Sequence, residues 1–235
     1  MTAPDNAQLK REAAVSALDY VEDGMKLGLG TGSTADLFIE LIARRILQGL
    51  RIQAVPTSER TARAARAHGI PLFDLDAVAP LDLTIDGTDE ADRALDLVKG
   101  AGGALLREKI VAASSKRMVV IADASKLVQR LGRFPLPIEV VSFGHGTTAS
   151  RIAGAVAALG YGKVPIVLRE KNGAPVRTDT GNQIYDCHFG AIADAPALAS
   201  RLSQIPGVVE HGLFIGIATT LLIAGPGGVE TIERR

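Results

Sequence analysis

Between Asp86 and Lys109 the chain reads DGTDEADRALDLVKGAGGALLREK. That span holds Asp86, Asp89 and Glu90 around a glycine turn, then Lys99, a glycine-rich loop from Gly100 to Gly103, and Glu108. A site that moves protons needs this combination. It requires a carboxylate as acceptor, a cation for developing negative charge, and backbone N–H groups close to a substrate. Paired carboxylates at Asp86 and Asp89 push one pKa upward, which suits proton shuttling. Each residue also has a plain reading, as a solvated Asp-Gly turn, a surface Glu in an i,i+4 pattern or a solvated Lys. Their spacing is what favours a site acting on a small phosphorylated or carbonyl substrate. Glu90 reads as a capping or solvated group rather than a catalytic one.

A second chemical segment is GLGTGSTA at 28–35. Its glycines let N–H groups turn inward, Ser33 and Thr34 add hydroxyls, and a following helix would aim its positive end at the loop, so an anion such as phosphate fits. Gly28-Leu29-Gly30 begins a dinucleotide fingerprint, but Ser33 stands where the third glycine belongs, and the GK[ST] ending of a P-loop is missing. A Ser/Thr-capped structural turn is the plain alternative. The four histidines, His68, His145, His188 and His211, are scattered without ligand spacing, which argues against a metal site. Ser33 has no G-x-S-x-G elbow, which disfavours hydrolase chemistry. The single Cys187 reads as a strand-filling residue.

These residues must be placed by regular elements. Helical periodicity runs over 7–22, and residues 25–29 read as a buried strand followed by a helix over 35–47. Strands at 51–55, 71–73, 81–86 and 117–123 alternate with helices at 58–67 and 104–115, predicting a parallel sheet covered on both faces. Asp86 would then end a strand, at the edge where ligands gather in open α/β sheets. After Phe134-Pro135-Leu136-Pro137 the pattern changes. Strand 138–142, helix 147–159, strands 164–168 and 183–188, helix 194–203 and strand 208–213 spell β-α-β-β-α-β, a ferredoxin-like unit. The apolar tail from Phe214 would rejoin the first sheet. The expected fold is therefore α/β: a Rossmann-like domain over 1–132 plus 214–235, with a smaller α+β domain inserted at 133–213.

Lys+Arg and Asp+Glu are both 26, so no global field draws nucleic acid or an anionic membrane. Few aromatics and no Trp also disfavour base stacking. The first residues carry no apolar leader and no apolar run approaches membrane-spanning length, so a cytoplasmic protein is expected.

Six ordered segments carry a resemblance over essentially the whole chain: GLGTGSTA at 28–35, DGTDE at 86–90, KGAGGALLREK at 99–109, IADASK at 121–126, FPLPIEV at 134–140 and IPGVVEHGLF at 205–214. The chain resembles the type A ribose-5-phosphate isomerases. That resemblance implies interconversion of D-ribose 5-phosphate and D-ribulose 5-phosphate in the non-oxidative pentose phosphate pathway, with no metal, no organic cofactor and a homodimer. It implies Glu108 as catalytic base and Asp86, Asp89 and Lys99 as the other catalytic polar groups. Thr31, Gly32, Ser33, Thr34, Gly87, Thr88, Gly100, Ala101, Gly102 and Lys126 match substrate-binding positions, with Lys126 near phosphate and Lys10 as a further contact outside any strong motif. Ala101 departs from the family's usual glycine.

In the mechanism this implies, Glu108 moves the carbon-bound proton. Lys99 and the Gly100–Gly103 amides hold charge, and Asp86 and Asp89 relay hydroxyl protons. Two rivals stand beside it. A non-catalytic sugar-phosphate sensor would usually carry a DNA-binding module, and none fits before residue 25. A nucleotide-dependent oxidoreductase would need an acidic residue after the second strand, where Pro56-Thr57-Ser58 stands instead.

Overall fold

A computed structural model describes residues 6–234; residues 1–5 and 235, the outermost parts of the expected first domain, lie outside it. Helix α1 (Asn6–Ala17) ends in a 3₁₀ turn, earlier than the periodicity over 7–22 predicts. Then come β1 (Lys26–Leu29), α2 (Ser33–Leu47), β2 (Gln53–Pro56), α3 (Glu59–Ala67), the short α4 (Leu75–Val78) and β3 (Leu83–Asp86). Two-residue strands β4 (Glu90–Ala91) and β5 (Leu97–Val98) precede α5 (Leu105–Ala113) and β6 (Met118–Asp123). A second unit contains β7 (Leu136–Val140), α6 (His145–Ala158), β8 (Ile166–Leu168), the hairpin β9 (Glu170–Lys171) and β10 (Ala174–Pro175), β11 (Gln183–Cys187), α7 (Ala195–Ser203) and β12 (Val208–His211). The chain then returns through β13 (Leu213–Phe214), β14 (Thr220–Gly225) and β15 (Gly228–Glu233).

The main sheet has the order β15-β14-β6-β3-β1-β2, parallel except for β15. β3 and β6 are buried along their whole length, as strands covered on both faces must be. Leu9, Ala13, Phe38 and Ile42 from α1 and α2 pack on Leu27, Leu83 and Ile85 in one apolar core. The chain goes from β1 to β2 on one side, then crosses back to β3 on the other. Loops after β1 and β3 therefore meet at a topological switch point. Both chemical segments of the sequence begin there.

The second unit is a four-stranded antiparallel sheet, β12-β7-β11-β8, with α6 and α7 supplying Ile152, Val156, Leu198 and Leu202 against Ile138 and Val140. This is the α+β insertion on an α/β scaffold that the alternation of elements predicts. Two expectations differ in detail. Strand 71–73 is a single bridge, Ala54 to Leu72. The expected strand 208–213 breaks after His211, and Leu213–Phe214 leaves to pair with β5, which pairs in turn with β4. Gly212 makes that crossing possible: a Cβ there would lie 2.2 Å from the Lys99 carbonyl oxygen.

Candidate active site

The loops after β1, β3 and β5 enclose a cavity of about 320 Å³. It is lined by Thr31, Gly32, Ser33, Thr34, Gly87, Thr88, Asp89, Lys99, Gly100, Ala101, Gly102, Glu108 and Lys126, together with Lys10 and Arg60. Residues spread over more than a hundred positions thus converge on one place. Asp86 is the site residue expected from sequence that does not line it. As the last residue of β3 it is fully buried and holds the turn from behind, accepting hydrogen bonds from Thr31 N (3.0 Å) and Gly87 N (2.7 Å). Gly30 must lack a side chain for this, since a Cβ there would stand 2.2 Å from Asp86 Oδ1.

Lys99 is the electrostatic centre. Its chain is anchored by Lys99 N donating to Gly212 O at 2.8 Å, and its ammonium donates to Gly87 O at 2.6 Å. Asp86 Oδ2 lies 3.0 Å and Glu108 Oε1 3.4 Å from the same nitrogen. Only 2 % of Lys99 is exposed. Burial alone would lower its pKa, but Asp86 and Glu108, helped by Asp89, outweigh that and hold it cationic. The two carboxylates share one ammonium unequally. Burial raises both, yet Asp86 also has two amide donors and the shorter ion pair. Glu108, on α5, is pushed up to about 8 by burial, against Lys99 and reinforced by the charges of Asp86 and Asp89. Its Oε2 is buried and has no hydrogen-bond partner among the described residues. A desolvated carboxyl with one unengaged oxygen on a polar cavity wall is built to exchange a proton with whatever occupies that cavity.

Anion-binding groups face the same space. Gly32 precedes α2, whose first turn presents Ser33 and Thr34, and Lys10 Nζ donates to Ser33 Oγ at 3.1 Å. Lys126 closes the 3₁₀ turn after β6, where Asp123 accepts from Ser125 N at 3.0 Å. Thr31 contributes differently. Its hydroxyl is turned into a buried cluster with Thr57, Ser58 and Thr61, at 2.8, 2.8 and 2.9 Å, which ties the β1 loop to the start of α3. The Thr88 hydroxyl is likewise engaged with the carbonyls of Glu90 and Val98. Within the glycine loop, Ala101 N donates to Asp89 Oδ2 at 2.9 Å and Gly103 N to Gly100 O at 3.0 Å, so these two amides serve the protein. The expectation that every amide from Gly100 to Gly103 meets charge narrows to Gly102 and Gly100.

Two other readings change. Glu90 is buried, not solvated: its carboxylate accepts from Gly132 N and Phe134 N at 2.6 and 2.7 Å, pinning the chain as it enters the second unit. The sequence alone does not point to Arg60. It sits in the first turn of α3 at the cavity and pairs with Asp36. Its only signal is its place just after a parallel strand. Cys187 fills a buried position of β11, where burial lifts its thiol to about 12. Beyond the cavity, Lys109 ties α5 to β12 through Glu210 (2.6 Å) and the His211 carbonyl (2.7 Å).

A family model described as ribose 5-phosphate isomerase A (phosphoriboisomerase A) matches residues 53–228. Ribose-5-phosphate isomerase A of Nitrobacter hamburgensis is 56 % identical over 227 residues, covering 97 % of this chain and 98 % of that protein. The solved ribose 5-phosphate isomerase of Plasmodium falciparum superposes with a TM-score of 0.92 at 37 % identity, covering 97 % of this chain and 99 % of that one. A D-ribose-5-phosphate isomerase solved in complex with phospho-erythronic acid superposes with a TM-score of 0.91 at 36 % identity, covering 98 % and 100 %.

Proposed function

Because this chain belongs to the ribose 5-phosphate isomerase A family, and so interconverts D-ribose 5-phosphate and D-ribulose 5-phosphate, we propose the following division of labour among its residues. Glu108 takes the C2 proton of the open-chain aldose and returns it to C1. The electron pair left behind passes onto O1, giving an enediolate, and the O2 proton transfers to O1 as the C2 carbonyl forms. Lys99 and the N–H of Gly102 meet the negative charge. When Glu108 accepts the proton its own charge disappears, so the Lys99 ammonium turns its full field on the enediolate. Desolvation makes that field far stronger than it would be in water.

Asp89, which lines the cavity, relays hydroxyl protons. Asp86 holds Lys99 and the Gly87 turn from behind rather than touching the sugar. Ser33, Thr34, Lys10 and Lys126 bind the phosphate and spend remote binding energy on orientation. A four-carbon aldonate phosphate, the kind of ligand bound by one related isomerase, suits such a site: its carboxylate copies the enediolate oxygens. The charge is met by the lysine and the amide, with no metal or organic cofactor. We also propose, from the alternation of elements, domain borders at 132/133 and near 213/214, where Leu213–Phe214 already pairs with β5 of the first unit, and, from the family, a homodimer in the cytoplasm.

The observation that carries this reading is the desolvated Glu108, a residue of the cavity wall with Oε1 on Lys99 and a buried Oε2 that has no hydrogen-bond partner among the described residues. Ketopentose formation from ribose 5-phosphate tests it. Glu108→Gln should lower kcat by about 10²–10⁴-fold while KM stays within a few-fold. Near-normal turnover in that variant removes Glu108 as the base. The sensor alternative is not favoured, since close relatives along the whole chain are named as isomerases.

A further inference from the structure

Arg169, just after β8, reaches from the inserted unit to the glycine loop of the active site. Its Nη1 donates to the carbonyl oxygens of Gly100 (2.8 Å) and Ala101 (3.2 Å). Nε and Nη2 are gripped by the two carboxylate oxygens of Asp186 on β11, at 2.8 and 2.5 Å. A bidentate pair of this kind fixes the plane of the guanidinium and leaves one edge for the loop. The backbone beneath it is fixed as well: Arg169 N donates to Ile184 O at 2.8 Å, and Arg169 O accepts from Val176 N at 2.9 Å. Arg169 itself does not line the cavity.

A trans peptide is planar, so its C=O and N–H point in opposite directions. The Gly100 carbonyl shares a peptide with the Ala101 N–H, which donates to Asp89 Oδ2. The Ala101 carbonyl shares one with the N–H of Gly102, a residue of the cavity wall. A cation holding both carbonyls from outside therefore turns both N–H groups inward. It also polarises the two peptides and strengthens them as donors. A loop carrying glycines at 100, 102 and 103 has little stiffness of its own to do this.

We propose that Arg169, held by Asp186, is a positioning residue of the isomerisation: it sets the peptide planes at 100–102 so that the Gly102 N–H meets the enediolate and Asp89 stays in place. This rests on the assignment of that loop to charge stabilisation. The inserted unit thereby completes the active site rather than merely adjoining it.

Arg169→Ala, Arg169→Lys and Asp186→Asn test this, with kcat, KM and inhibition by 4-phosphoerythronate and by inorganic phosphate as readouts. Losing an oxyanion donor outright costs about 10²–10³-fold. A donor present but misaimed should cost less, about 10–100-fold in kcat for Arg169→Ala, with KM within about threefold. Affinity for 4-phosphoerythronate should fall about tenfold while inhibition by phosphate is unchanged. Arg169→Lys and Asp186→Asn should move the same way by less. A folded Arg169→Ala protein with kcat and 4-phosphoerythronate affinity within about twofold of wild type overturns the proposal, even if its thermal stability drops. So does an equal loss for inorganic phosphate, which would place Arg169 at the phosphate. If Arg169→Ala does not fold, Asp186→Asn carries the same readouts with the cation retained. Should wild-type enzyme bind 4-phosphoerythronate no tighter than phosphate, the assignment of the loop fails first, and the proposal with it.

Discussion

Glu108→Gln should change the pH dependence of stability in a way that isolates the raised carboxyl. In the folded protein Glu108 is pushed up to about 8 from its ordinary 4.5, chiefly by burial. The geometry explains why Lys99 fails to prevent this: its ammonium stands closer to Gly87 O and Asp86 Oδ2 than to Glu108 Oε1, at 2.6, 3.0 and 3.4 Å. Between those two pKa values the folded state holds a proton that the unfolded chain has released. Stability is therefore fully present below the unfolded value and is lost as pH rises through the folded one, by at most about 1.4 kcal/mol per pH unit. Integrating from about pH 5 to about pH 8.5 gives a loss of roughly 3–4 kcal/mol in wild type that the glutamine variant escapes. Asp86, also raised by burial, is present in both proteins and largely cancels from the difference. The chain has no Trp, so urea unfolding at fixed protein concentration is best followed by far-ultraviolet circular dichroism at the two pH values. Any constant cost of the substitution drops out of the comparison. A gap between the two proteins that stays level within about 0.5 kcal/mol would mean that Glu108 is ionised throughout, and the desolvation reasoning would be refuted.

The same ionisation should appear in catalysis. A base must be unprotonated in the free enzyme, so kcat/KM should rise with pH to a plateau through a midpoint near 8; a profile flat from about pH 6 to about pH 9 speaks against it. Lys126→Ala should raise KM about tenfold and lower kcat by less, and the reverse split, read from initial rates, would move Lys126 from phosphate binding to chemistry. Gly30→Ala forces a methyl onto Asp86 Oδ1, which Thr31 N and Gly87 N already hold, while Lys99 holds Oδ2 of the same carboxylate. It should cost about 1–3 kcal/mol in denaturant unfolding and most of the turnover; unaltered activity would show that the Asp86 carboxylate is not fixed as described.

What could be read in the sequence was what is local. Asp86, Asp89, Lys99 and Glu108 lie in one short span, with loop and strand signals around them, and the switch-point rule gathers them at one sheet edge. Their depths could not be read so directly, because Asp86 and Asp89 are chemically the same residue. Strand parity holds part of the answer. Leu83 and Ile85 belong to the core under α1 and α2, so Thr84 and Asp86 must face the other way, where Thr84 meets Ser115 and Asp86 meets Lys99. Lys10 and Arg60 lie on helices, where a cation at a site and one in solvent look alike. Strands β4, β5 and β13 are two residues long, too short for any period to register, yet they bring Gly212 against Lys99.

Contacts between distant segments account for the rest. Lys99 N rests on Gly212 O, Glu90 on Gly132 and Phe134, and the carbonyls of the glycine loop on Arg169. Each partner lies between about forty and more than a hundred residues away and belongs to the inserted unit or its borders. The motifs of this chain name most of the groups on the cavity wall, Lys10 and Arg60 excepted. They leave out most of the groups that aim them, because a peptide plane can be held from any part of the molecule that reaches its carbonyl. That asymmetry gives the insertion a reason to exist at this point in the fold. The loop must be glycine-rich for a sugar phosphate to approach its backbone, and a loop made flexible for that purpose needs an external brace.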